Sequence, residues 1–223
     1  MSIKENLFEV KADLPCGVEL VAVSKYHPVE ALQEAYDAGQ RIFGESHVQE
    51  LVAKEAVLPK DIIWHFIGHL QTNKVKYIAP FISLIHAVDT LKLLKEIDKQ
   101  AAKSGRTIDC LLQMHIAQEE TKYGFTPDEL REMLAAGEWR NCTNVHISGL
   151  MCMATNTDDE LQIKGEFHLA RTIFDAIKAD FFASDDRFRE LSMGMSGDYL
   201  LAIQEGSTLV RVGSKIFGNR IYA

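Results

Sequence analysis

Long hydrophobic runs are missing from this sequence. No stretch approaches the roughly 18 uninterrupted apolar residues that a membrane-spanning helix requires. Charged residues interrupt the opening segment, MSIKENLFEVKADL, so it has no apolar core of signal-peptide length. These absences predict a chain that does not enter a membrane, and they favour a cytoplasmic location.

Cysteine is also scarce, and basic residues are outnumbered. The 4 cysteines are scattered without a CxxC pair, which argues against a disulfide framework and favours reduced thiols in the cytosol. The chain has 24 Lys and Arg residues against 32 Asp and Glu residues, a formal net charge of −8. This acidic balance argues against general binding to nucleic acids or anionic membranes, although it is compatible with a local basic pocket.

What the sequence does contain is a repeated alternation of strand-like and helix-like segments. Short apolar runs predict strands at residues 20–24, 41–44, 62–67, 81–88, 108–116, 145–150, 188–193 and 208–213. Between them, amphipathic patterns predict helices at residues 28–39, 46–57, 89–105, 126–137 and 158–178. No low-complexity linker divides the 223 residues. We therefore expect a single domain, 1–223, in which residues 1–18 precede the first strand.

This alternation is typical of a parallel α/β fold. A closed (β/α)8 TIM barrel and an open doubly wound sheet are both compatible with it. The count of strands and the length of the chain favour the closed barrel. In either fold the functional groups lie at the carboxyl ends of the strands, so polar residues that follow strands are the candidates for a site.

A lysine stands at the end of the first predicted strand. In ELVAVSKYHP, an apolar run is followed by Ser24, Lys25 and, three residues further on, Pro28. An exposed lysine at a strand end is usually a solvated charge. In the mouth of a barrel, however, partial desolvation and neighbouring cations lower the pKa of a lysine, and its neutral amine can form a Schiff base with a carbonyl. Lys25 is therefore the candidate nucleophile.

Two loops rich in glycine and serine follow the last two predicted strands. SMGMSGD contains Ser192 and Ser196, and RVGS contains Gly213 and Ser214. Small residues let backbone N–H groups approach an anion, and the hydroxyl groups add donors. Each loop alone could be an ordinary turn, but barrels frequently build phosphate sites from the loops after strands seven and eight. Their joint position predicts a phosphate site.

Arg211 lies inside the apolar run TLVRVG. A charge that points inward from such a strand needs a partner, which could be a structural salt bridge or a ligand with a ring-nitrogen acceptor. A lysine, a phosphate site and an inward arginine together fit pyridoxal 5′-phosphate (PLP), which has an aldehyde, a phosphate and a polar ring.

Longer motifs carry a family resemblance. They are LVAVSKYHP, FGESHVQEL, WHFIGHLQTNK, EETKYGF, GLMCM and LSMGMSGDYLLAIQEGSTLVRVGSKIFGNR, in order from about residue 20 to residue 220. Through them the sequence resembles the pyridoxal phosphate homeostasis protein family, whose fold is similar to the N-terminal barrel of alanine racemases. The resemblance implies that Lys25 carries PLP as a Schiff base and that Arg211 lies near the pyridine nitrogen. It places phosphate contacts around Ser192, Ser196, Gly213 and Ser214.

Three other positions belong to the expected cofactor site. The family usually has Asn where this chain has Ser46, and the shorter side chain is expected to lose one hydrogen bond near the cofactor. His65 either lines the pocket or is a satisfied core histidine. Met193 lies within SMGMSGD. The complete expected set is Lys25, Ser46, His65, Ser192, Met193, Ser196, Arg211, Gly213 and Ser214.

His69 and Lys122 also have side chains that could take part in chemistry. His69 lies four residues after His65, but the pair straddles a strand and a glycine loop rather than one helical face, so no metal site is expected. Lys122, in QEETKYGF, is either a solvated loop lysine or a second amine that accepts the aldehyde from Lys25 during release.

Catalysis is not expected to be substantial. Racemisation needs an acid or base on each face of the substrate α-carbon, and in alanine racemases an additional C-terminal domain supplies the second, a tyrosine. Here the sequence reaches Ala223 just after the last barrel elements, and Tyr26, beside Lys25, is expected to point away by strand alternation. An arginine at the ring nitrogen disfavours its protonation and weakens the ring as an electron sink, which is compatible with racemase chemistry and equally with carriage. We favour PLP homeostasis or carriage, with no catalytic residue.

Two alternatives stay open. One is a PLP-dependent amino-acid racemase or lyase, and the other is a cofactor-free class I aldolase in which Lys25 attacks a sugar-phosphate carbonyl. The expected partners are PLP and, for a carrier, apo forms of PLP-dependent enzymes. The helices show no obvious self-association face, so a monomer is expected.

Overall fold

The computed structural model describes residues 2–118 and 123–218. Its parallel strands close into a barrel in which neighbours follow chain order and the last strand pairs with the first. The strands are β1 (Glu19–Val23), β2 (Ile42–Glu45), β3 (Ile63–Phe66), β4 (Leu84–Val88), β5 (Ile108–Gln113), β6 (Val145–Met151), β7 (Glu190–Met195) and β8 (Leu209–Val212). Each overlaps one of the predicted runs, and the closed (β/α)8 barrel is confirmed.

The helices surround the barrel. They are α1 (Ile3–Ala12), α2 (Val29–Asp37), α3 (Val48–Val57), α4 (Val75–Ile78), α5 (Leu91–Lys103), α6 (Pro127–Ala136), α7 (Glu160–Phe181), α8 (Tyr199–Gln204) and α9 (Ser214–Phe217). The five helices predicted from amphipathic patterns correspond to α2, α3, α5, α6 and α7. Helix α1 precedes the barrel and packs beside α9, where the Asn6 amide donates a hydrogen bond to the Ile216 carbonyl at 3.0 Å.

Helix α6 shows how local sequence sets the helix ends. The Thr126 side chain accepts a hydrogen bond from the backbone N–H of Glu129, and the Glu129 carboxylate accepts one from the N–H of Thr126. This reciprocal pair satisfies two N–H groups that have no acceptor within the helix. Gly137 ends the helix with φ of 76°, a conformation that glycine adopts without a Cβ clash.

Strand alternation separates two apolar layers. On β1, Leu20 and Ala22 face the large core between strands and helices, whereas Val21 faces the barrel interior. The interior cluster consists of Val21, Leu84, Ala87, Leu111, Met151 and Leu209. Buried polar side chains share this interior, and they extend it toward the carboxyl ends of the strands.

A glycine lets strands β6 and β7 pair closely. The β5–β6 register shifts between Cys110 and Leu111, and Gly149 of β6 has φ of 155° at this irregularity. A Cβ added to Gly149 would lie 1.8 Å from the carbonyl oxygen of Glu190. Only a residue without a side chain fits at this position of the barrel wall.

Three further observations bear on the expectations from composition. Within residues 2–118 and 123–218, no helix combines the length and the apolar character that crossing a bilayer would demand. The same ranges contain no group of three or more His, Cys, Asp or Glu side chains arranged to hold a metal ion. The cysteines are free thiols, of which Cys16 is exposed and Cys110, Cys142 and Cys152 are buried.

Candidate functional site

A cavity of about 240 Å³ opens at the carboxyl ends of the strands. Five of the nine predicted site residues line it: Lys25, Ser196, Arg211, Gly213 and Ser214. Apolar side chains complete the wall, among them Val23, Ile67 and Met153. Arg211 on β8 and the loops after β1, β7 and β8 therefore bring a guanidinium group, an amine and a wall of Ser196, Gly213 and Ser214 to one enclosure. We call these three residues the serine-glycine wall.

Strand alternation delivers Lys25 to this cavity. Val21 faces the barrel interior, Val23 and Lys25 line the cavity, and Ser24 between them is buried. The Ser24 N–H donates a hydrogen bond to the Gly44 carbonyl at 3.0 Å, which continues the β1–β2 pairing past the end of β1. Lys25 thus follows a backbone position that is fixed by sheet hydrogen bonding.

Ser196 and Gly213 join the two loops of the serine-glycine wall. The backbone N–H of Gly213 donates a hydrogen bond to Ser196 Oγ at 3.1 Å. A Cβ on Gly213 would lie 3.0 Å from the Val23 carbonyl oxygen and 3.2 Å from Val23 Cβ, so glycine lets this loop approach β1 closely. With the hydroxyl of Ser214 beside them, these groups form the part of the cavity best suited to an anion.

Replacing Ser196 by Ala tests how far this contact holds the wall together. The variant leaves the Gly213 N–H without its acceptor, and we expect the free energy of unfolding to fall by about 1 kcal/mol. Urea denaturation at neutral pH measures the change. Ser184→Ala, at an exposed serine, is the control and should change the unfolding free energy by less than about 0.5 kcal/mol. Equal losses in the two variants would contradict the assigned role of Ser196.

Arg211 is buried, and its hydrogen-bond partners are neutral. Nη1 donates to Ser192 Oγ at 2.6 Å, and Nη2 donates to the Cys152 carbonyl at 3.0 Å. Burial lowers the pKa of the Arg211 guanidinium from its ordinary value. Because Arg211 also lines the cavity, its remaining N–H groups can serve an acceptor on a ligand.

A chain of buried side chains continues from Arg211 into the barrel. His86 Nδ1 lies 2.9 Å from Ser192 Oγ, and His86 Nε2 lies 3.0 Å from His65 Nδ1. Arginine only donates, so the Ser192 oxygen accepts from Arg211, and we assign the Ser192 hydroxyl proton to the contact with His86. The same accounting places the proton of His86 on Nε2, from which it donates to His65.

Both histidines of this chain are held in the neutral form. Burial lowers the pKa of His65 to about 3. Burial also lowers the pKa of His86 well below its ordinary value, and repulsion from His65, when that ring is protonated, and from Arg211 lowers it further. Neutral imidazoles are consistent with the hydrogen-bond directions, since each histidine must accept at Nδ1.

The structure does not bring His65 to the Lys25 cavity. Its position on β3 directs the side chain into the barrel interior, where it ends the chain from Arg211. There it lines a separate cavity of about 300 Å³ together with Glu19 and Ile63. Those two residues lie at the amino ends of β1 and β3, which is the opposite end of the barrel. The geometry is that of the satisfied core histidine.

Three other predicted residues also lie off the cavity wall. Ser192 is buried beneath Arg211 and reaches the cavity only through that side chain. Met193 alternates with Ser192 along β7, so its side chain packs in the outer core. Ser46 is partly buried, and its Oγ lies 3.2 Å from His47 Nδ1. Lys122 lies outside the described residues.

His27 is a cavity residue that the sequence analysis missed. It is buried, lines the cavity and has its ring centroid 5.1 Å from that of Phe217. The His27 N–H donates a hydrogen bond to the Ser24 carbonyl at 3.1 Å, so the chain turns at Lys25 and Tyr26 and brings His27 to the cavity. Strand alternation gave no signal for this turn. Tyr26, between Lys25 and His27, is partly exposed, and its ring packs against His47 with centroids 5.1 Å apart.

The fold and the cavity define a class of protein. A family model described as "Alanine racemase, N-terminal domain" matches residues 1–220. The alanine racemase of Streptomyces coelicolor A3(2) superposes with a TM-score of 0.76 at 16% identity, over 97% of this chain and 61% of that one, and so shares the fold. The class is thus a barrel of the alanine racemase N-terminal type.

Closer relatives narrow the class. The pyridoxal phosphate homeostasis protein of Aquifex aeolicus is 38% identical over 92% of this chain and 88% of the relative, and that of Vibrio alginolyticus is 36% identical over 100% and 99%. The chain belongs to the pyridoxal phosphate homeostasis protein family. PipY of Synechococcus elongatus PCC7942 has been solved without PLP (TM-score 0.91, 39% identity, 97% of this chain and 100% of that one). The PipY structure with PLP bound gives a TM-score of 0.88 at 38% identity, with the same coverage.

Proposed function

We propose that this chain binds PLP reversibly through Lys25 and takes part in intracellular PLP homeostasis, as a carrier rather than as a catalyst. The observation that carries the proposal is the single cavity shared by Lys25, Arg211 and the serine-glycine wall. Similarity to homeostasis proteins along the whole chain, and to PipY with PLP bound, supports it.

The residues present fit the chemistry of PLP. When bound, PLP supplies an aldehyde carbon that a primary amine attacks reversibly, and Lys25 is the lysine on the cavity wall. Ser196, Gly213 and Ser214 form the wall that suits the phosphate, where Gly213 leaves room that a Cβ would fill. Two nitrogens of Arg211 donate hydrogen bonds to neutral acceptors of the protein, and the remaining N–H groups of Arg211 can donate to the ring nitrogen.

Arg211 also bears on the choice between carriage and catalysis. A guanidinium group beside a pyridine nitrogen opposes protonation of that nitrogen, because the two positive charges repel. An unprotonated ring withdraws electrons less, so carbanion chemistry is weakened while reversible bonding to an amine is retained. This setting suits storage and delivery of PLP, and we propose apo forms of PLP-dependent enzymes as recipients.

The setting of the protein is part of the proposal. Free thiols, three of them buried, suit the reducing cytoplasm, where PLP-dependent enzymes also require their cofactor. We propose that the chain acts there as a monomer. Size-exclusion chromatography with light scattering tests the oligomeric state directly.

Borohydride reduction followed by peptide mapping tests the proposed function. Protein incubated with PLP should acquire visible absorbance, and reduction should add the mass of a pyridoxyl phosphate group to the peptide that contains Lys25. Addition at another lysine would overturn the assignment of the site. Transfer of PLP to an apo-enzyme faster than free release would support a carrier, whereas substantial racemisation in an amino-acid panel would show that the protein is an enzyme.

A further inference from the structure

The backbone on both sides of Lys25 is held by one group of charged residues. We call Glu45, Glu50 and Lys54 the Glu45 cluster; Glu45 ends β2, and the other two lie on α3. On the amino side of Lys25, the Ser24 hydroxyl donates to Glu45 Oε1 at 2.7 Å. Lys54 Nζ donates to the Ser24 carbonyl at 2.8 Å.

On the carboxyl side of Lys25, the same cluster holds Tyr26. The Tyr26 N–H donates to Glu50 Oε1 at 2.7 Å. Tyr26 has φ of 65°, and no other non-glycine residue in the part of the chain that the structure describes has a positive φ. A bulky residue in this conformation is strained, so the surrounding contacts must enforce it.

Lys54 links the two carboxylates of the cluster. Its Nζ lies 2.7 Å from Glu45 Oε1 and 2.7 Å from Glu50 Oε1, and together with the Ser24 carbonyl these acceptors match the three protons of an ammonium group. Glu45 and Lys54 are buried, and Glu45 Oε2 has no hydrogen-bond partner among the described residues. Burying charge in this way is costly, which makes simple stabilisation a poor reason for the arrangement.

We propose that Glu45, Glu50 and Lys54 are positioning residues for Lys25. They fix the backbone at Ser24 and Tyr26, so the Lys25 side chain is directed into the cavity before an aldehyde binds. The inference rests on the proposed function, since positioning matters only if Lys25 receives an aldehyde. The alternative is that these contacts only attach α3 to the barrel. We prefer the positioning role, because the contacts are made to the two residues that flank Lys25.

Glu50 offers the cleanest test because its side chain is 23% exposed, so replacing it disturbs the fold less than replacing Glu45 or Lys54. Glu50→Gln keeps an acceptor for the Tyr26 N–H and removes the charge, whereas Glu50→Ala removes both. We expect the dissociation constant for PLP to rise about tenfold in Glu50→Ala and less than about threefold in Glu50→Gln. Gln49→Ala, an exposed position on the same helix, is the control and should bind PLP as wild type does.

Hydrogen exchange of the Tyr26 amide, measured by NMR without PLP, supplies an independent readout. It should be faster in Glu50→Ala than in Glu50→Gln, while urea denaturation shows similar losses of stability in the two. Equal losses of PLP affinity in both variants, in proportion to stability, would overturn the positioning role. If the wild-type protein fails to bind PLP, the proposed function is wrong. If the Tyr26 amide exchanges equally fast in all variants, the positioning role is wrong, whether or not the protein binds PLP.

Discussion

Lys25→Ala protein is expected to purify without a covalently attached chromophore, and its dissociation constant for PLP should rise at least about 100-fold. The substitution removes the amine that the end of β1 carries into the cavity. Arg211 and the serine-glycine wall remain, so weak non-covalent binding persists through the ring and the phosphate. Absorbance spectra, borohydride trapping and equilibrium titration with PLP measure the three consequences.

Lys215→Ala is the matched control for this experiment. Lys215 lies on α9, next to Ser214, and is exposed. Its removal should leave covalent attachment and affinity close to those of wild type. Covalent attachment that survives in Lys25→Ala, at any lysine, would show that the cavity does not select the amine by position.

Acid should destabilise the folded protein, and His65→Asn should remove part of this sensitivity. Unfolded His65 takes up a proton below its ordinary pKa of 6.5, whereas the folded side chain stays neutral until the pH falls to about 3. The stabilisation from neutral His65 is therefore complete above pH 6.5 and is lost progressively as the pH falls toward 3. At pH 5 the loss amounts to about 2 kcal/mol. Asparagine keeps an acceptor for His86 Nε2 but does not titrate in this range.

Urea denaturation of both proteins at about pH 7.5 and about pH 5 measures the effect. Burial raises the pKa of Glu45 to about 7, so protonation of Glu45 stabilises the fold as the pH falls through 7 toward 4.5. This opposing contribution is present in both proteins and cancels in the comparison. Ser184→Ala, at an exposed serine that does not titrate in this range, should show the pH dependence of wild type. Identical profiles for wild type and His65→Asn would mean that His65 titrates normally in the folded state.

The barrel itself was predictable because its signal is distributed along the chain. Each strand is an apolar run and most helices have one apolar face, so local errors at element ends leave the order intact. Helix α4 was not predicted, since its four residues are too few to show helical periodicity. The ends of β2 and β7 fall one or two residues beyond the predicted runs, because backbone pairing with the neighbouring strands continues past the apolar residues.

The site was predictable where a polar residue interrupts an apolar strand or follows its end. Arg211 and Lys25 were found in this way, and both line the cavity. His86, inside the run LIHAV, gives the same signal but was overlooked. Met193 and Ser46 were included through motifs and family resemblance. A sequence motif shows which residues are adjacent along the chain, but it does not show on which face of a strand or loop a side chain lies.

The Glu45 cluster could not be read from the sequence at all. Its members lie on β2 and α3, whereas the backbone groups that they hold follow β1. A Glu–Lys spacing of four residues on α3 resembles the ordinary ion pairs of solvent-exposed helices. Only the packing of α3 against the barrel shows that this pair is turned inward, toward Ser24.

The closing contact of the barrel lies beside the site, because β1 pairs with β8 and places Val21 opposite Arg211. Lys25 and Arg211 come from the first and last strands, so neither a nascent chain nor a fragment without β8 holds the two groups together. Assembly of the binding site therefore requires pairing between the first and the last strand, a contact between residues far apart along the chain. Any ligand that contacts residues of both β1 and β8 will stabilise the closed barrel against separation of these two strands.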